Sequence, residues 1–83
     1  MGKSYTQQLQ SLAQSFGLTL EQVPVIKYLT SFHEVSRDIR QRSDTQQYIY
    51  TEHQESYCDV DDYFTWKYIT EEEFQQLKKS SIL

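Results

Sequence analysis

The sequence predicts an α+β domain: a helical hairpin, then a small antiparallel β-hairpin or three-stranded meander, then a C-terminal helix, in the order α-α-β-β(-β)-α. Three observations predict it. Apolar residues recur at helical spacing through the first half of the chain. From Tyr48 the pattern changes to β-branched and aromatic residues in alternation. Thr70, with Glu73 three residues later, then restarts a helix.

The elements follow in order. Ser4 is a good N-cap, and Gln7 completes a capping box. Tyr5, Leu9, Leu12, Ala13 and Phe16 then share a helical face, and Gly17 stands where a C-cap glycine belongs. This predicts a helix over about 5–16. Thr19 with Gln22 offers a second box, and Pro24 suits a first turn. Tyr28, Phe32, Val35 and Ile39 then fall on one face, with Arg37, Arg40 and Arg42 at the far end, where the macrodipole favours cations. This predicts a second helix over about 24–41.

Ser43, Asp44 and Thr45 form a polar break. Tyr48 to Thr51 and Tyr63 to Ile69 read as strands, the second with Phe64, Trp66 and Tyr68 on one face and Tyr63, Thr65, Lys67 and Ile69 on the other. Tyr57, Cys58 and Val60 suit a short middle strand, although residues 44–57 also fit a short helix. A last helix is expected over about 71–79, with Glu71, Glu72 and Glu73 in its first turn and Lys78 and Lys79 closing it.

Length and composition bound the rest. Eighty-three residues make a single small domain, 1–83. Only 37% of the residues are apolar and seven of these are Tyr, so the core is thin and its rim aromatic; a homodimer would bury more. No apolar run is long enough for a membrane. The N-terminal stretch is not of signal type, and the single Cys58 permits no intrachain disulfide, so the expectation is a cytoplasmic protein. Charge is uneven. Residues 1–43 carry five cations against three acids, a net of +2; residues 44–83 carry three against nine, a net of −6. Eight of the twelve aromatic residues lie between Tyr48 and Phe74, so the acidic half is also the aromatic half.

The motifs exclude more than they assert. Ala13, Gly17, Leu18, Val23 and Ile26 fit the spacing of a helix-turn-helix, which makes a DNA-binding regulator the alternative reading. Pro24 within the recognition helix and the overall charge of −4 argue against it, and direct nucleic-acid binding is not expected. His53, Cys58, Asp59, Asp61 and Asp62 are metal-ligand types, but one Cys and one near His do not make a four-ligand zinc set. No Gly stands at the turn position that a calcium loop needs. Cys58 lacks the surroundings of a catalytic thiol, and two glycines in the chain give no phosphate loop. No enzyme and no cofactor are expected.

The acidic, aromatic stretch remains. Only one side of a strand can point into a core, so part of this stretch faces out. Tyr48, Tyr50, Glu52, Glu55, Tyr57, Asp59, Asp61, Asp62 and Tyr63 are the candidate partner-binding residues, because tyrosines beside carboxylates match the composition of protein-recognition surfaces. Trp66 is assigned to the core. The expected role is a regulatory or inhibitory module that binds a protein with a basic surface. One form of it blocks a nucleic-acid-binding protein, with carboxylates standing where phosphates would.

Overall fold

A computed structural model describes residues 5–32, 35–54 and 62–80. Helix α1 spans Tyr5–Ser15 and helix α2 spans Glu71–Lys79. Between them run four strands: β1 (Val25–Phe32), β2 (Val35–Gln41), β3 (Tyr48–Gln54) and β4 (Tyr63–Ile69). Each strand pairs antiparallel with its neighbour in sequence, giving one sheet in the order β1-β2-β3-β4. The observed order is therefore α-β-β-β-β-α.

The terminal helices form for the reasons their sequences give. After Ser15 the chain closes a Schellman-type cap: the N–H of Leu18 donates to Ala13 O at 3.0 Å and that of Gly17 to Gln14 O at 2.9 Å, with Gly17 at φ +74°. A single 3-10 turn, Leu20–Gln22, reverses the chain. At α2, Glu73 N–H donates to Thr70 Oγ1 at 3.1 Å while Thr70 N–H donates to Glu73 Oε1 at 3.2 Å, a complete capping box.

The second helix expected over 24–41 does not form, and this is the main correction to the predicted order. Those residues supply strands β1 and β2 instead, so the sheet has four strands among the described residues rather than two or three. Val25, Ile26, Thr30, Val35 and Ile39 are β-branched, and Tyr28 and Phe32 are aromatic; these types fit a pleated surface better than a helix. The helix-turn-helix reading loses its recognition helix with this correction. The arginine cluster also divides: Arg37 and Arg40 fall on opposite faces of β2, and Arg42 lies beyond the strand. Within residues 44–57, Tyr48–Gln54 is strand; the middle strand expected at Tyr57, Cys58 and Val60 lies outside the described residues.

The sheet is covered on both faces. On one, α1 and the turn after it bring Ala13 and Val23 onto Ile49 of β3, with Phe16 and Leu18 beside them, while Leu9 and Leu12 of α1 are buried as well. On the other, Phe74 and Leu77 of α2 pack on Leu29, Ile39 and Ile69, flanked by Tyr48 and Tyr50. Polar groups fix the α1 layer. Tyr5 Oη donates to the buried carboxylate of Asp38 at 2.9 Å, and Arg40 Nη1 donates to Val23 O at 2.7 Å. Arg42 pairs with Asp44 at 2.6 Å in the β2–β3 turn, where Gln46 sits at φ +65°. Among the described residues, no helix is long and apolar enough to cross a membrane.

Candidate functional site

The stripe Phe64, Trp66 and Tyr68 points to the α1 face of β4, as alternation requires. Among the described residues β4 is an outer strand, and α1 covers this stripe only in part. Trp66, expected in the core, is 40% exposed, and Tyr68 beside it is 41% exposed. Their rings meet edge to face at 5.4 Å. Phe16, at the end of α1, stands edge-on to Trp66 at 5.5 Å and lies 5.9 Å from Tyr68. The guanidinium of Arg42 lies over the Phe16 ring at 4.4 Å and donates to Tyr68 Oη at 2.9 Å. Two exposed aromatic rings are thus held in fixed orientation, with little rotamer freedom left to lose on contact with another molecule.

Between α1 and this stripe lies an open groove of about 610 Å³, with Leu12, Phe64 and Trp66 as its apolar floor and Gln8, Ser11 and Ser15 as its polar rim. A second hollow of about 150 Å³ lies at the start of α1, lined by Tyr5, Asp38, Arg40 and His53 among others. There the rings of Tyr5 and His53 stack at 3.5 Å.

The opposite face gathers four of the sequence-predicted residues, Tyr48, Tyr50, Glu52 and Tyr63. Glu52 accepts from Tyr63 Oη at 2.6 Å, from Tyr50 Oη at 2.7 Å and from Arg37 Nε at 3.2 Å. The hydroxyl of Tyr63, then that of Tyr50, holds the Glu52 carboxyl below its ordinary pKa. Burial, and after it the bond to Glu52, pushes the Tyr50 phenol up to about 12; the same carboxylate raises that of Tyr63. Tyr48 stacks on Phe74 at 4.3 Å and donates to Glu71 Oε1 at 3.0 Å, which fastens α2 to the sheet. Tyr48, Tyr50, Glu52 and Tyr63 therefore share one face, and their polar ends bond to one another or to α2. Asp62 is exposed just before β4. Glu55, Tyr57, Asp59 and Asp61 lie outside the described residues.

Trp66 and Tyr68, like Ile26 and Tyr28 of β1, are exposed residues that the sequence reading did not select. A signal for them exists: the last strand of a meander has a neighbour on one side only, so its core-facing residues are half covered. Of the metal-ligand types in this region, His53 and Asp62 are described, and no three such groups converge among the described residues. No protein-family model matches the chain, and neither any curated protein nor any solved structure matches it.

Proposed function

We propose that this chain is a non-catalytic, cytoplasmic protein-binding module of regulatory or inhibitory type, and that it docks on a basic partner through the α1 side of β4. The observation that carries the reading is the pair Trp66 and Tyr68, large aromatic side chains held exposed beside a groove. Aromatic anchors of this kind dominate the energetics of protein interfaces. The net charge of −6 on residues 44–83 favours a basic partner and disfavours a nucleic acid. One form of this role is a blocker that occupies the nucleic-acid surface of its partner.

The test compares capture of proteins from a lysate by the wild-type chain and by the double variant Trp66→Ala, Tyr68→Ala, with circular dichroism to establish that both are folded. The double variant is expected to lose a partner that the wild type retains, and salt is expected to weaken the wild-type capture. Equal capture by a folded double variant rejects this surface. A captured nucleic-acid-binding protein that still holds its nucleic acid alongside the module rejects the blocker form.

A further inference from the structure

The two outer edges of the sheet are built differently. β1 carries register shifts between Val25 and Lys27 and between Tyr28 and Thr30. Such bulges twist an edge and disrupt the row of groups that another strand would need. β4 has no such device. Its seven residues pair with β3 in unbroken register, from Tyr63 opposite Gln54 to Ile69 opposite Tyr48. It contains no proline and one charged residue, Lys67, whose Nζ turns back over the Tyr50 ring at 5.8 Å. Among the described residues no strand lies beyond it. Helix α2 leaves the end of β4 and crosses the sheet to pack against Leu29 of β1, so it does not shield this edge. Seven extended residues present about 23 Å of backbone.

The charges around this edge select its occupant. Asp62 is exposed at one end, and Glu71 and Glu72 are exposed just past the other. A second copy paired antiparallel about Trp66 would set Asp62 opposite Thr70 and close to Glu71, in a dimer carrying twice the chain's charge of −4. Like charges at both ends oppose that pairing. An extended segment with an uncharged, β-branched centre and basic flanks meets the opposite field at each end. Its alternate side chains would fall beside Phe64, Trp66 and Tyr68, and its backbone would satisfy the outward N–H and C=O groups of β4.

We infer that β4 accepts a partner by strand addition, taking an extended, basic-flanked peptide segment as a fifth strand. This rests on the protein-binding reading above and names the way the partner is held.

The probe is the peptide Ac-KRVTVTVRK-NH2, titrated into the full-length chain at low salt and followed by amide NMR. Two controls are the same peptide with its central, threonine-flanked valine replaced by proline, and the acid-flanked Ac-DEVTVTVED-NH2. The basic peptide is expected to slow hydrogen exchange at alternate amides of Tyr63–Ile69 while leaving β1 unchanged. The acid-flanked peptide is expected to bind about tenfold more weakly, the gap closing at high salt as screening removes it. The proline peptide should give no protection.

Three results overturn the inference: no change at β4 with millimolar basic peptide, binding that shifts Trp66 and Tyr68 without new amide protection, or concentration-dependent protection of β4 in the chain alone. The second leaves the protein-binding reading intact and removes only strand addition. Loss of that reading is scored separately, by the Trp66 and Tyr68 capture experiment.

Discussion

Replacing Glu52 by Gln tests whether the network on the α2 face holds β2, β3 and β4 together. The carboxylate of Glu52 takes three hydrogen bonds, from Tyr63, Tyr50 and Arg37, which stand on all three strands. Glutamine keeps one carbonyl oxygen and turns the other acceptor into a donor, so at least one bond is lost and the ion pair with Arg37 disappears. Hydrogen bonds to charged groups contribute roughly 1.5–3 kcal/mol each, and an exposed ion pair roughly 0–1. The Glu52 side chain is 23% exposed and that of Arg37 48%, so solvent screening holds the total loss near 1–2 kcal/mol at pH 7. For a domain of this size that lowers Tm by roughly 5–15 °C.

The pH dependence gives the sharper test. The folded carboxyl titrates below its ordinary value, so its contribution is complete above the unfolded pKa of about 4.3. It is lost as pH falls through the lower, folded value. At the alkaline end Tyr50 is raised to about 12 and Tyr63 is raised too. Their contribution is complete below the unfolded phenol value of about 10 and is lost as pH rises beyond it. The difference in stability between wild type and Glu52→Gln, from urea unfolding at a series of pH values, should therefore form a plateau between about pH 5 and 10 and shrink on both sides. A difference that is flat from pH 3 to pH 7, or absent at pH 7, refutes the network.

Other substitutions probe the remaining layers. Ile49→Ala empties a side chain that is 0% exposed in a central strand and should cost about 2–5 kcal/mol, enough to leave a marginal domain largely unfolded in a circular dichroism melt. Tyr5→Phe removes the hydroxyl that serves the buried Asp38 carboxylate and should cost about 1–3 kcal/mol in urea unfolding, with the helix content of the folded state unchanged. Gln46→Gly relieves a non-glycine residue at positive φ, and net of glycine's extra unfolded-chain entropy it should add about 0.5–1 kcal/mol of stability and raise Tm. A lowered Tm would mean that the Gln46 side-chain bond to Ser43 O outweighs the backbone term.

Both helices were legible because their ends carry local chemistry: Gly17 beyond α1, and Thr70 with Glu73 at α2. The β1–β2 hairpin was not legible as strand, and the reason is physical. A sheet covered on both faces buries consecutive residues, here Asp38, Ile39 and Arg40, and this erases the period of two. The bulges in β1 shift its phase as well. What remained, Tyr28, Phe32, Val35 and Ile39, happens to fit a helical face. The β-branched content of the segment was the better guide.

On the candidate surface, parity alone placed Tyr50 and Glu52 on a common face. Tyr63 joins them only through the β3–β4 register, which the sequence does not state. The exposure of Trp66 depends on which strand ends the sheet. With the predicted two or three strands β4 was already last, yet a tryptophan between Phe64 and Tyr68 read as core.

The meander has a consequence for the order in which the molecule assembles. Every strand pairs with its neighbour along the chain, so the sheet can close hairpin by hairpin with small loop-closure cost. The docking of α1 is different in kind, since it joins Tyr5 to Asp38, 33 residues away, and to His53 beyond. That contact closes a loop of 33 residues and gains little until β2 and β3 are already in place. Helix α2 closes a longer loop still, from Phe74 to Leu29 of β1, so both helices gain their contacts only once the strands beneath them have paired. The strand pairings do not pass through α1, so the helix covers the floor of Phe64 and Trp66 without contributing a hydrogen bond to the sheet ladder.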